Sequence, residues 1–243
     1  MPAFFISDLH LCEDRPGVAR LFFDFLAKRV TGSGADLYIL GDLFEYWIGD
    51  EDLARPFNGE VAAAIRAVAD SGIRVRLMHG NRDFLMGPRV CAETGATMLA
   101  DPVVVELDGT RTLLMHGDTL CTDDHAYMDF RRMVRDAAWQ RNFLALPVEA
   151  RRQQAGAARR RSESEKQGKS AEIMDVNAAA VEAVLRNHGY PRLIHGHTHR
   201  PARHLHRVDG HDCERWVLQD WYASGGYLQC DKDGCRAFPL HPC

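Results

Sequence analysis

Residues Arg76–Gly87 read RLMHGNRDFLMG. An apolar run ends in His79, Gly80, Asn81, Arg82 and Asp83, four polar side chains around one glycine. A plain loop has no need of so many donors and acceptors. The same design recurs four times in the chain. AFFISDLH (Ala3–His10) ends in Asp8 and His10, and DLYILGD (Asp36–Asp42) in Asp42. TLLMHGD (Thr112–Asp118) carries His116, and RLIHGHTH (Arg192–His199) carries His197 and His199. Each apolar run is short and rich in Ile, Leu, Val, Phe or Tyr, which predicts a buried strand. Between the first three runs lie helical patterns. GVARLFFDFLAKRV places Val18, Leu21, Phe22, Phe25 and Leu26 on one face, and NGEVAAAIRAVADSG does the same for Val61, Ile65 and Val68. Strand and helix alternate, so the fold class is α/β. In such sheets ligands gather beyond the carboxyl ends of the strands, where all five polar clusters fall.

The clusters offer carboxylate oxygens, imidazole nitrogens and one amide oxygen. That donor set suits borderline or hard divalent metals. No cysteine takes part, which argues against a closed structural zinc site. Seven ligands are too many for one ion with an open position and suit two. Two ions about 3.5–4 Å apart can clamp the attacking and leaving oxygens of a phosphoryl transfer. Ions so close repel and need a shared anion, and Asp42, midway in the order, is the candidate bridge. One His or Asp after a strand is ordinarily a cap or turn residue. Five strand ends that all deliver ligand-type residues are not explained that way.

The whole chain bounds these readings. Its 243 residues suffice for a sizeable core. Apolar content is 46 % and charged content 26 %, ordinary for a soluble globular protein. A net charge of −4 argues against a nucleic-acid partner for the chain as a whole. The opening MPAFFISDLH lacks the basic region of a signal peptide, and no run of 18 apolar residues predicts a membrane span. The seven cysteines are scattered and form no CxxC pair, which fits a reduced compartment. Cys230 and Cys235 are expected as inert thiols.

Together SDLH, LGDLFE, HGNRD, MHGD and HGHTH resemble the calcineurin-like metallophosphoesterase superfamily across residues 5 to 199. The resemblance implies a four-layer αββα sandwich, two mixed sheets face to face with helices outside. It implies a single domain over 1–243 with a helical cap insertion at 123–170. Carried over, it puts Asp8, His10 and His199 on one metal and Asn81, His116 and His197 on the other. Asp42 bridges, and a hydroxide bridging the ions is the family nucleophile.

Most of that superfamily has a histidine where this chain has Arg82. Arginine does not surrender its proton near neutral pH, so it is no general acid. It can hold a phosphate by two parallel hydrogen bonds. The exchange makes sense if the leaving group is itself a phosphate, which needs no proton, so the expected substrate bond is a pyrophosphate. The plainer alternative is that Arg82 pairs with Asp83 or caps a helix. YILGDLFEYWIGD, HGNRDFLMG, MHGDTLCTDD, IMDVN and LIHGHTHRP resemble a narrower branch of the superfamily. Those enzymes cleave a UDP-linked diacylglucosamine lipid at the α-phosphate in lipid A biosynthesis. The likeness implies two Mn²⁺ ions, with other divalent metals able to stand in, and a peripheral position on the cytoplasmic side of the inner membrane. A monomer is expected.

His197 follows His116 by 81 positions, about twice the other gaps. Within them, residues 129–170 hold eleven Lys and Arg against five Asp and Glu, a net +6 that leaves −10 on the remainder. Phe130, Met133, Val134, Ala137 and Ala138 follow helix spacing. Pro147 predicts the start of a second helix, SESEKQGKS a loop, and a third helix is expected from about Ala171. Three readings stay open: a solvated basic hairpin, a surface for an anionic membrane, and a cap whose apolar face houses acyl chains. By resemblance the insert matches a lipid-holding cap. Substrate contacts then fall on Asp124, Ser162, Lys166 and Lys169, with Asn81, Arg82 and His197. Tyr127 and Arg159 are further candidates, and Lys166 departs from the asparagine common there. The tail after residue 200 alternates, with turns at Asp209-Gly210 and Asp233-Gly234, and is expected to close the second sheet. His204, His206 and His211 read as solvated strand faces rather than metal ligands. Rival functions are a dinuclear-metal phosphoesterase of soluble nucleotides or phosphoproteins, and a basic module without catalysis.

Overall fold

A computed structural model of the chain describes residues 2–166 and 175–241, with backbone alone for 161–166. Five strands coincide with the five motif runs: β1 (Ala3–Ile6), β2 (Asp36–Leu40), β3 (Val75–Met78), β6 (Thr110–Leu114) and β7 (Arg192–His195). Between β3 and β6 lie β4 (Thr97–Met98) and β5 (Val103–Leu107), which the sequence did not announce. The tail forms β8 (Ala202–Val208), β9 (His211–Val217), β10 (Gly225–Asp231) and β11 (Gly234–Leu240). One sheet has the order β11-β10-β1-β2-β3-β4 and the other β5-β6-β7-β9-β8. β1 to β4 run parallel, as do β6, β7 and β9, while β5, β8, β10 and β11 pair antiparallel.

The two-residue period of a strand explains the layering. Phe5 of β1, Tyr38 and Leu40 of β2 and Met78 of β3 meet Leu114 of β6 and Ile194 of β7 in a core between the sheets. Their neighbours Phe4, Ile6, Leu37, Ile39, Val75 and Leu77 point the other way. They pack under α1 (Pro16–Phe25), α2 (Pro56–Asp70) and α3 (Pro88–Thr94). Each of those three helices opens on a proline, whose fixed φ suits the first turn. On the far side Leu113, Met115 and Leu193 bury against Val181 and Leu185 of α7 (Ala178–Asn187). Four layers result, helices–sheet–sheet–helix, as the resemblance implied. Each fully buried Phe, Leu or Ile contributes roughly 1.5–3 kcal/mol, so both faces of each central strand hold it in register.

The insert departs from expectation in three places. The expected helix through Phe130–Ala138 is two, α4 (His125–Val134) and α5 (Ala137–Leu144). Asp136 breaks the run because its side chain caps α5 by accepting from the Trp139 N–H. Next, α6 (Val148–Lys166) continues through the expected SESEK loop, since Ala, Arg, Gln, Glu and Lys are all good helix formers. Finally, α7 begins at Ala178 behind the cap Asn177, and the stretch 171–174 where a start was expected lies outside the described residues.

The tail also differs. β8 and β9 extend the second sheet, but β10 and β11 return to the first, beside β1. The β10–β11 turn is Lys232-Asp233, one residue earlier than expected. Its register sets Cys230 opposite Cys235, Cα atoms 4.1 Å apart, and the two form a disulfide rather than standing as thiols.

Candidate metal centre

The register of β1, β2 and β3 aligns their carboxyl ends, with Ile6 beside Ile39 and Leu40 beside Met78. The loops leaving them therefore start at one level. The backbone then turns sharply. Asp8, His10, Asp42, His197 and His199 all have φ between 48° and 68°. This left-handed region is rare for residues with a Cβ, and its strain persists where the surroundings enforce it. Glycines make room. A Cβ on Gly80 would strike Asp42, and one on Gly196 would strike Asp8 and Ser7, so GN and GH are steric requirements.

The side chains converge in two overlapping groups. In one, His10 Nε2 lies 3.3 Å from His199 Nε2, which lies 3.4 Å from Asp8 Oδ1. In the other, Asn81 Oδ1 is 3.0 Å from His116 Nε2 and 2.9 Å from His197 Nδ1. Asp42 stands between, with Oδ2 3.8 Å from His10 Nε2 and Oδ1 3.8 Å from His116 Nε2. His116 Nδ1 donates to the Leu40 carbonyl, which leaves Nε2 as the nitrogen that can bind a cation once the ring is neutral. Acceptor atoms thus face one another in a buried place, and Asp8 Oδ1 has no hydrogen-bond partner. Buried lone pairs so arranged are costly unless a proton or cation is shared among them. Oxygen and imidazole donors without thiolate fit a divalent cation. Two sets of three, Asp8–His10–His199 and Asp8–Asp42–His116, have metal-binding spacing.

The protein's own charges point the same way. Burial pushes the Asp42 carboxyl up to about 7, helped by Asp83 and Asp8 and opposed by His116. Burial disfavours the charged form of His116, yet Asp42, Asp8 and Asp118 outweigh it and raise its pKa to about 9. Burial, with His116 nearby, drives His197 down to about 3. Asp8 is buried too, but the His199 imidazole 3.4 Å away and the neighbouring His116 and His10 hold it well below the usual carboxylate range.

Around this centre stand residues that fix it. Asp83 is fully buried and accepts backbone N–H groups from Gly80 (2.8 Å), Asp42 (3.3 Å), Leu43 (2.7 Å) and Phe44 (3.4 Å). It therefore ties the β2 loop to the β3 loop and has no capacity left for Arg82. The Arg82 N–H donates to Asp42 Oδ1 at 2.8 Å. Its half-buried guanidinium makes no ion pair among the described residues, and its charge acts on Asp42, His10 and Tyr222. The alternative of an Arg82–Asp83 pair is thereby overturned.

Asp118 accepts from the Tyr127 hydroxyl at 2.6 Å and from Arg131 Nε at 2.7 Å, and the Tyr127 ring lies against His197. Behind the β7 end, buried Arg215 donates to His195 Nε2 at 3.1 Å. A guanidinium only donates, so His195 carries its proton on Nδ1 and donates to the Gly196 carbonyl at 2.8 Å. The next residue, His197, gives its N–H to Asp8 Oδ2 at 2.9 Å.

Of the sequence candidates, Asp8, His10, Asp42, Asn81, His116, His197 and His199 come together, with Arg82 and Tyr127 beside them. Asp124 caps α4 by accepting the Tyr127 N–H, and Arg159 pairs with Glu45 at 3.2 Å. Ser162 and Lys166 lie on the backbone of α6, and Lys169 lies outside the described residues. Val134 is buried, whereas Phe130 (42 %) and Met133 (48 %) are exposed. A cavity of about 10 Å³ lies between Asn81, Tyr127, Phe130 and Val134. Sequence reasoning named Asp83 only as a possible partner of Arg82, and it passed over Asp118, Arg215 and Tyr222. The first two sit inside the quoted motifs and were legible as buried partners of the loops. Arg215 and Tyr222 carry no local signal.

The family model for calcineurin-like phosphoesterases matches residues 1–201. A protein of Aromatoleum aromaticum named UDP-2,3-diacylglucosamine hydrolase is 53 % identical over 234 residues, covering 96 % of this chain and 95 % of its own. One of the same name from Xanthomonas axonopodis pv. citri is 51 % identical over 241 residues, covering 96 % and 97 %. A solved structure described as a novel archaeal phosphodiesterase covers 99 % of this chain and all of its own, at 13 % identity and a TM-score of 0.46.

Proposed function

The chain belongs to the calcineurin-like phosphoesterase family, and from that premise we propose that it hydrolyses the pyrophosphate of UDP-2,3-diacylglucosamine. The products are UMP and 2,3-diacylglucosamine 1-phosphate, intermediates of lipid A synthesis. The observation that carries the reading is Arg82, whose backbone N–H binds Asp42 and whose guanidinium makes no ion pair among the described residues, while the alternative partner, Asp83, is already saturated. The likeness to relatives of that name over 96 % of the chain supplies the substrate.

Divalent ions, Mn²⁺ in this reading, would be held by Asp8, His10 and His199 and by Asn81, His116 and His197, with Asp42 available to both sets. Ions bound there supply charge that polarises the phosphoryl group. The remaining work belongs to the chain. Asp83 holds the loops of Asp42 and Asn81 together, and Asp118 with Arg131 positions the Tyr127 hydroxyl. Arg82 neutralises charge on the leaving phosphate without giving a proton. Helices α4–α6 act as a cap in this reading, and the resemblance assigns further substrate contacts to Asp124, Ser162, Lys166, Lys169 and Arg159. The exposed Phe130, Met133, Leu144 and Leu146, interleaved with arginines, support contact with acyl chains and with an anionic membrane surface. No helix among the described residues is long and apolar enough to cross a membrane, and a peripheral cytoplasmic position completes the reading.

The test is incubation with Mn²⁺ and either UDP-2,3-diacylglucosamine or UDP-glucosamine, with UMP as the readout. Release from the acylated substrate only is expected. Equal release from both, or preference for a phosphomonoester, would move the protein to a phosphoesterase of soluble substrates.

A further inference from the structure

Two aromatic side chains flank the metal centre at its two ends. Tyr127 lies against His197, on the side assigned above to the sugar-phosphate and lipid. Tyr222 lies at the other end, with its ring centroid 5.4 Å from His10 and 5.4 Å from His199. It is 46 % exposed, unusual for a tyrosine packed on two buried or half-buried imidazoles. Beside it opens a cavity of about 190 Å³, walled by Val18 and Leu21 of α1 and bordered by Arg15, Gly17, Tyr222 and Ser224.

Arg15 is fixed at the rim. Its guanidinium lies 4.9 Å over the Tyr222 ring and binds both Glu45 and the His10 carbonyl. Its Nη1 is buried and has no hydrogen-bond partner. The first-turn N–H groups of α1, which the helix cannot use itself, receive no side-chain cap. The cavity thus joins apolar walls, a half-exposed aromatic ring and the backbone N–H groups of a helix start without a side-chain cap. It is smaller than the roughly 300–1,000 Å³ of a site for a whole drug-sized ligand and suits a single ring system.

We infer that this cavity receives the nucleobase of the substrate's nucleotide half, a pyrimidine seated against Tyr222 and the apolar wall of α1, with a ring carbonyl toward the uncapped N–H groups of the first turn. The inference rests on the nucleotide-linked pyrophosphate reading above and adds the place of the base. A pyrophosphate substrate has two arms. With the lipid arm leaving the centre past Asn81, His197 and Tyr127, the nucleoside arm leaves past His10 and His199, where Tyr222 stands. A base stacked on or beside that ring is sequence-tolerant in shape, and the donors select carbonyl-bearing bases.

Two variants test this without touching the metal ligands. A Cβ on Gly17 meets nothing within 4 Å, so Gly17→Leu projects a side chain into free space at the cavity and improves helix propensity. Tyr222→Ala removes the platform. Inhibition by UMP is compared with inhibition by inorganic phosphate, which needs only the centre, in the Mn²⁺-loaded full chain. Both variants are expected to weaken UMP by about tenfold or more, the loss typical when a base loses its aromatic partner, with phosphate inhibition as in wild type. Unchanged UMP inhibition in both variants overturns the subsite, and so does an equal loss for UMP and phosphate, which would place the effect in the centre itself. A wild-type protein that cleaves the lipid-linked substrate but ignores UMP overturns the subsite alone. One that does neither overturns the underlying reading as well.

Discussion

Replacing Asp83 by Asn keeps the volume and removes the charge. The wild-type carboxylate accepts four backbone N–H groups, two on each oxygen. An amide has one acceptor. If its oxygen stays with Gly80 and Asp42, its NH₂ faces the N–H groups of Leu43 and Phe44, donor against donor. The Leu43 bond, at 2.7 Å, is a strong charge-assisted one, worth about 1.5–3 kcal/mol, and the longer Phe44 contact, at 3.4 Å, counts for less. Stranding two buried donors adds about 1–3 kcal/mol for each that finds no water, so a loss of about 3–4 kcal/mol is expected. For a chain of this size that lowers Tm by roughly 6–16 °C. Thermal unfolding followed by circular dichroism, with chelator and with Mn²⁺, gives the number. A metal titration gives the mechanism. The negative charge of Asp83 also attracts a cation directly, so losing it by electrostatics alone would weaken metal binding at unchanged Tm. Loss of loop position would weaken metal binding and lower Tm together, and we expect the two to fall together. A Tm within about 1 °C of wild type, with or without weaker metal binding, refutes the tie between the two loops.

Four further outcomes follow from the same geometry. Ligation needs His116 neutral and Asp42 ionised, and their pKa values of about 9 and 7 mean metal entry expels about one to two protons near pH 7. Mn²⁺ affinity by calorimetry should therefore fall about 10- to 100-fold from pH 8 to pH 7, and a flat profile would contradict the ligand set. The sign reverses for chelator-treated protein. A histidine pKa raised on folding stabilises below about 6.5, and that contribution is lost as pH rises through 9, so Tm should drop between pH 7 and 9. Arg82→Ala should lower kcat/KM for the pyrophosphate substrate about 100-fold, because charge on the leaving phosphate goes unmatched. Unchanged kcat/KM would make Arg82 structural. Arg215→Met should free the His195 tautomer and weaken metal binding about tenfold, with Arg215→Lys partly restoring it. Equal affinities in all three proteins would mean that Arg215 only packs.

The five ligand-bearing strand ends were legible because each is local: a buried strand, a tight turn and a donor lie within a few consecutive residues. The α1 and α2 faces were legible for the same reason, since helix periodicity is written in neighbours. What joins distant segments was not. The tail alternates equally well for either sheet, and only packing of Phe5 and Leu228 into one core set β10 beside β1. The pairing of Cys230 with Cys235 came from that hairpin's register. SESEK is polar enough for a loop and helical enough for α6, and propensity alone does not choose. Asp83 was in view from the start, but its four donors come from two loops about forty residues apart, so its saturation, and with it the unpaired state of Arg82, exists only once β2 and β3 lie side by side. Tyr222 and Arg215 have no motif at all, because the chemistry they touch belongs to β1, β7 and the loops beyond them, and the sequence distance to those partners is bridged by the fold alone.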